Sequence, residues 1–440
     1  MLYGMRITMP VAPLNAARTA QRAPSLPKER LPFAQVCLIL RGMNPRFLVS
    51  LLACCCSTLP AAEVAFPSFR ALEIDAHIEI GYGITVADVD GDGKPDILLA
   101  DKKQIVWYRN PTWEKFVIAE NLTPLDDVCI AATDIDGDGK AEIAVGAQWN
   151  PGDTINSGAV FYLKPPADRT QRWEPVELPH EPTVHRMRWM RTGSGEFALV
   201  VAPLHGRGNK AGQGDGVRIL SYQKPADAHQ TWKTELIDGS LHMTHNFDLL
   251  KSADAPHGGM LVAAREGIFK ITRRNTGWVS LQVTGPNPGQ TNFTGAGEVR
   301  AGRLASGTPF IAAIEPMHGN QLVVYTAPKP GASVQLWRRH LLDPSLKEGH
   351  ALACGDLLGT GSDQIVCGWR IKNDAGKVGV KLFVARDNNA EEWAEMIVDD
   401  NAMACEDLCL ADLNGDGKLD IVAAGRATKN VKIYFNQPLK

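Results

Sequence analysis

The 440-residue chain lacks a dominant charge: 46 Lys and Arg stand against 49 Asp and Glu, for a formal net charge of −3. That balance argues against nucleic acid and against an anionic membrane as partners. It also lacks a long hydrophobic run. The longest apolar stretch, residues 47–58, is too short to span a bilayer, so no transmembrane span is expected. No Ser-His-Asp order, nucleophile elbow or dinucleotide-binding fingerprint is visible, and no cysteine spacing matches a zinc ribbon. Of nine cysteines, Cys37, Cys54, Cys55 and Cys56 lie near the N-terminus. The remaining five, Cys129, Cys354, Cys367, Cys405 and Cys409, are an odd set that cannot pair completely, although Cys354 and Cys367 would suit adjacent strands.

Residues 1–62 read as leader. A short basic region at 43–46, the apolar stretch and the small residues of Pro-Ala-Ala at 60–62 have the layout of a secretory signal; the residues before Met43 read either as an over-extended start, with the true start near 43, or as a long leader. Export to the periplasm or the extracellular space is therefore expected. Residues 51–54 also read as a lipoprotein box, LLAC, which would anchor the chain by lipid at Cys54.

What is present in abundance is repetition. Residues 86–97 read VADVDGDGKPDI, residues 132–143 ATDIDGDGKAEI and residues 411–421 ADLNGDGKLDI. Asp88, Asp90, Asp92 and Asp96 thus correspond to Asp134, Asp136, Asp138 and Glu142, and to Asp412, Asn414, Asp416 and Asp420. Alternating oxygens on a Gly-turned loop are what Ca2+ requires. Apolar, strand-like residues flank each loop, so we read it as a structural Ca2+-clamped strand connection; a solvated Asp/Gly turn is the plainer alternative.

A strand opened by an aromatic residue recurs as well: WEKFVIAEN from Trp113, WEPVELPHE from Trp173, WKTELIDGS from Trp232, WVSLQVTGP from Trp278, LWRRHLLDP around Trp337 and WAEMIVDDN from Trp393. The last unit lacks this strand, and residues 69–75 carry it with no unit before them. Both facts follow if the N-terminal strand pairs into the last unit and closes a ring. The expectation is an all-β, seven-bladed β-propeller over residues 63–440, with blades near 77–122, 123–181, 182–240, 241–286, 287–346, 347–401 and 402–437 plus 66–75. On these motifs the chain resembles FG-GAP/VCBS-type repeat propellers, a resemblance specific for fold and weak for function.

Histidine departs from the repeat. His185, His242, His245 and His350 precede or open the first strand of a blade, and His205 and His318 follow a second strand. In an up-and-down blade these positions share one face of the ring, opposite the acidic loops. Six imidazoles from blades three to six would then line one mouth, as ligands for Zn2+ or another divalent metal and as bases. Satisfied surface histidines are the alternative. Arg207, Arg265, Arg370, Tyr82 and Trp149 fall at equivalent mouth positions, where forks and rings would bind a sugar, or serve only as rim groups. The Gly-rich insertion 206–216 is either a flap or a surface loop; it returns to a strand and so is no phosphate loop.

The segments VHRMRW, PLHGRG, HMTHNFD, EPMHG and EGHALACGD resemble the propeller domain of aldos-2-ulose dehydratase. The resemblance implies metal-assisted β-elimination on an oxidised sugar: a secreted carbohydrate-active lyase or dehydratase. Ligands are expected among His185, His242, His245 and His318, with His205 or His350 as base or substrate contact. The competing reading is a Ca2+-stabilised, non-catalytic propeller binding a glycan or protein partner.

Overall fold

The computed structural model describes residues 64–286, 293–329, 331 and 336–437. The leader, signal and Cys54 readings fall outside the described residues. The described chain is all-β: seven four-stranded antiparallel sheets, each built in sequence order. The last sheet alone takes its outermost strand from elsewhere. There Ser68–Asp75 pairs antiparallel with Asn430–Gln437, Ser68 opposite Gln437 and Leu72 opposite Ile433.

Burial explains why each strand has its composition. Second strands such as Asp96–Ala100, Glu142–Ala147 and Asp420–Gly425 are buried at every residue, because both faces pack against neighbouring blades. They accordingly read as unbroken apolar runs after an opening acid. Each fully buried Ile, Leu or Val there contributes about 1.5–3 kcal/mol. Outer strands alternate instead, as in Glu174–Leu178, where only Val176 and Leu178 are buried. The tryptophans that open outer strands are anchors: Trp173 and Trp232 are buried, and their indole N–H groups donate to the carbonyls of Arg169 and Ala228.

The first strands, Gly83–Ala87, Cys129–Thr133, Val184–Arg191, Thr244–Leu249, Glu298–Arg303, Gly349–Gly355 and Cys405–Ala411, form the innermost ring. Each packs against the first strands of the two adjacent blades, and the last meets the first. Blades converge so tightly here that only small residues fit. A Cβ on Gly368 would lie 2.5 Å from the Cys405 Cβ. The five cysteines in the described region are free. Register places Leu352 opposite Cys367 and Ile365 opposite Cys354, which corrects the expected facing of Cys354 and Cys367.

Candidate functional site

His245 lies in Thr244–Leu249 and His350 in Gly349–Gly355, while His318 follows the strand Pro309–Glu315. Strands one and two of antiparallel blades bring these positions to one end of the ring. His245, His318 and His350 each offer a ring nitrogen, and these nitrogens lie within 4.8 Å of one another. Ring centroids are 4.7 Å apart for His245 and His318, 5.1 Å for His245 and His350, and 4.9 Å for His318 and His350. The His185 ring is tilted against His245, centroid to centroid 4.6 Å, and the Trp149 ring lies 4.9 Å from that of His185.

The backbone fixes which nitrogen each ring presents. His350 Nδ1–H donates to the Glu406 carbonyl at 2.6 Å and His185 Nδ1–H to the His245 carbonyl at 2.7 Å. His245 Nδ1 faces both the Gly297 carbonyl, 3.2 Å away, and Glu298 Oε1, 3.1 Å away. Their Nε2 atoms are left to accept. A carbonyl or carboxylate behind the ring is the usual support of a metal-ligating histidine. His245 Nε2 and His318 Nε2 stand 2.9 Å apart. Two nitrogens bound to one Zn2+ at about 2.1 Å in a tetrahedron lie about 3.4 Å apart, so a small outward shift of the rings would admit the ion.

Electrostatics keep the cluster neutral. Burial, then neighbouring cationic or imidazole groups, pulls His185, His245 and His350 well below the usual histidine range. Burial and the Arg370 guanidinium pull His318 down to about 4. Neutral imidazole is the form that binds a metal or accepts a proton. Behind the rings, Glu298 is buried, and its Oε1 has no hydrogen-bond partner of good geometry. Its Oε2 faces Arg300 at 3.6 Å and accepts from Asn246 at 2.7 Å, while Oε1 stands behind His245 Nδ1, where a carboxylate supports a metal-ligating histidine. The residues present therefore fit a metal site built from three histidines. His318 itself sits at φ 52°, in the left-handed region, in a turn where the Gly319 N–H donates to the Pro316 carbonyl at 2.8 Å.

The remaining expected residues divide. His242 is outside the cluster, with Nδ1 2.9 Å from Glu266 Oε1. His205 is bridged to Met243 through the backbone, and its Nδ1 has no partner. Arg370 joins the site: its Nη2 is 3.4 Å from His318 Nδ1, and its other nitrogens pair with Glu348 and Glu406. Tyr82 is buried, donates to Asp126 at 3.0 Å and lies beneath Arg426. Arg207 instead pairs with Glu181 and the Ile155 carbonyl, and Arg265 donates to the Ala211 carbonyl. The insertion 206–216 is stapled: Asn209, buried, donates to the carbonyls of Asp215 and His242.

At the opposite ends of the blades, carboxylate oxygens of Asp88, Asp90 and Asp96 gather within 4.8 Å, as do those of Asp134, Asp136 and Glu142. Asp88 accepts from the N–H groups of Gly91 and Gly93, whose φ of 82° makes the turn. Asp134 and Asp412 repeat that arrangement. Burial pushes Asp96 and Glu142 up to about 7 and raises Asp420. Clustered hard oxygens on a Gly-turned loop fit Ca2+, although Arg109 lies 3.2 Å from Asp90 and Arg169 3.7 Å from Glu142. Asp92 turns to Lys94 at 2.7 Å, and Asp138 lies 4.0 Å from Arg169.

Sequence reading passed over Arg186, Arg188, Glu298 and Arg300 as individual residues. The available signal was period two: Arg186 and Arg188 in VHRMRW share a strand face, as do Glu298 and Arg300.

With fold and site described, the class is a seven-bladed propeller bearing a histidine cluster at one end of its ring. Residues 157–328 match the family described as aldos-2-ulose dehydratase, beta-propeller domain. Residues 88–145 match an FG-GAP-like repeat and residues 130–163 the FG-GAP repeat. The chain is therefore a propeller related to both. Among curated proteins none matches the chain. Among solved structures, BBS1N in complex with ARL6DN aligns with a TM-score of 0.52 at 14% identity, over 85% of this chain and 99% of that one. The mitotic checkpoint complex gives 0.51 at 12%, over 86% and 98%. The extracellular domain of the one-component system BT4673 from B. thetaiotaomicron gives 0.50 at 12%, over 85% of this chain and 40% of that one. Identities this low show the fold alone.

Proposed function

We propose that the chain is an exported lyase or dehydratase that eliminates water or an alkoxide from an oxidised sugar at the histidine cluster. One observation carries this reading: three buried or half-buried imidazoles from different blades present nitrogens within 4.8 Å, two of them in the segment matching the dehydratase propeller. His245, His318 and His350 would hold a divalent metal such as Zn2+. Bound there, the metal would polarise a carbonyl oxygen and make the proton on the adjacent carbon acidic.

The chain supplies the rest. His185 is neutral and its Nδ1–H is committed to a carbonyl, so Nε2 is the lone pair that takes the carbon-bound proton. The electron pair left behind forms the new double bond as the β carbon–oxygen bond breaks. The imidazolium then returns its proton to the departing oxygen, and the imidazole is regenerated. Trp149, tilted against His185 with ring centroids 4.9 Å apart, offers a face for a sugar ring. Arg370 disfavours the imidazolium form of His318, and a metal on His318 Nε2 would require the 3.4 Å Arg370–Nδ1 contact to open. The acidic loops are proposed as Ca2+ sites that stiffen blades one, two and seven.

The test is metal analysis with turnover of 2-keto sugars, followed by elimination-product absorbance. His318→Ala should lose both the transition metal and turnover; His185→Gln should keep the metal and lose turnover. Purified protein holding Ca2+ alone, with no histidine-bound metal, favours the glycan- or protein-binding alternative.

A further inference from the structure

The innermost strands enclose a central channel of about 400 Å3. Its walls carry three guanidiniums, Arg186, Arg188 and Arg300, against two carboxylates, Asp248 and Asp407. The acids and Arg300 already have partners. Asp407 accepts from the N–H groups of Ile84 at 3.1 Å and Leu408 at 3.0 Å, and Asp248 from that of Ala301 at 2.9 Å. Arg300 lies 3.6 Å from Glu298.

Arg186 and Arg188 lack a carboxylate partner: among the described residues, neither has one within 4.0 Å. Arg188 lies over the Phe247 ring, 4.8 Å from its centroid, and burial followed by the nearby Arg300 pulls it down to about 10. Arg186 is only 5% exposed, yet its Nε and Nη2 have no partner, and its Nη1 reaches only the Tyr82 carbonyl at 3.3 Å. A buried guanidinium with open donors costs stability until an acceptor arrives. Adjacent Nε and Nη donors form the fork that matches a carboxylate or phosphate.

The channel adjoins the histidines. Arg186 follows His185 in the same strand, and Asp407 follows Glu406, whose carbonyl holds His350. We propose that Arg186 and Arg188 form an anion subsite in the channel for the acid group of a small acidic sugar, whose oxidised carbons reach the histidine cluster. The position of the sugar rests on the proposed elimination site; the anion subsite itself does not.

The experiment is calorimetry and thermal unfolding of the full chain with gluconate, glucose and inorganic phosphate at matched ionic strength. Gluconate should bind and raise Tm while glucose does neither, and phosphate should compete with gluconate. Arg186→Gln should weaken gluconate at least tenfold, with Arg186→Lys intermediate. Equal binding of gluconate and glucose, or an unchanged gluconate affinity in Arg186→Gln, overturns the subsite. If Arg186→Gln does not fold, absence of phosphate competition in the unaltered chain overturns it equally. Phosphate binding tighter than gluconate overturns the sugar-acid assignment in favour of a free anion. Arg186-dependent gluconate binding in a chain that takes up no transition metal overturns the elimination reading and leaves the subsite standing.

Discussion

The acidic loops and the histidine cluster are two ways of gathering ligand atoms, and they differ in where the assembly happens. Each loop collects its oxygens within nine residues of one turn, open to solvent except for a buried last carboxylate, whereas the cluster draws imidazoles from blades four, five and six into a buried mouth. Blade six clarifies the loops further. There Asp356 accepts from Thr360 and Gly361, and Gln364 accepts from Leu358, the same skeleton with few acids. Position one and the last position therefore staple the turn in either case. What distinguishes the loops proposed to hold Ca2+ is the pair between them: Asp90 and Asp92, Asp136 and Asp138, Asn414 and Asp416.

The largest effect should separate histidines by geometry. His350→Ala should remove the transition metal and lower turnover more than 100-fold, while His242→Ala, which breaks only the contact to Glu266, should change turnover less than threefold. Equal losses from both would erase the distinction drawn between cluster and rim.

Next comes Ca2+. At 100 times its Kd, one bound ion stabilises the fold by about 2.7 kcal/mol. Chelation should therefore lower Tm by several degrees, and Asp90→Ala with Asp136→Ala should abolish most of that response in a thermal scan. A Tm indifferent to Ca2+ would make the loops solvated turns.

A smaller effect tests burial at the mouth without any metal. Asp127 is buried, its Oδ2 has no partner, and burial pushes it up to about 7. A raised folded-state value means the native state holds its proton where the unfolded chain has released it. Its contribution is thus best below pH 3.8 and is lost as pH rises to about 7. Asp127→Asn should raise stability at pH 8, by on the order of 2 kcal/mol, and by less at pH 5. An equal gain at both pH values would refute the shift.

The smallest is the blade-six control. Asp356→Ala removes two backbone hydrogen bonds and should cost about 1–2 kcal/mol, identically with and without Ca2+. A Ca2+-dependent cost would place an ion in that loop as well.

How legible each region was follows from the same contrast. The acidic loops and the aromatic-led strands are local patterns, so fold class could be read directly, down to the missing outer strand. The histidines could be brought to one face by topology alone. Which of them meet could not, because that depends on how far each blade leans toward the axis: His242 and His245 are three residues apart, yet only His245 turns inward. Arg186 was hidden for a related reason. Its significance lies in donors left without acceptors, and that emerges only once all seven inner strands are in place.

The ring's seam has a mechanical meaning. Ser68 and Gln437 are paired opposite each other, so the chain enters and leaves the last sheet at the same end. Tension applied at those two ends would peel the Ser68–Asp75 ladder rung by rung, as a zip opens, rather than shear all its bonds together. The circle is therefore weakest to a pull at its own clasp, and joining the two ends covalently would harden it.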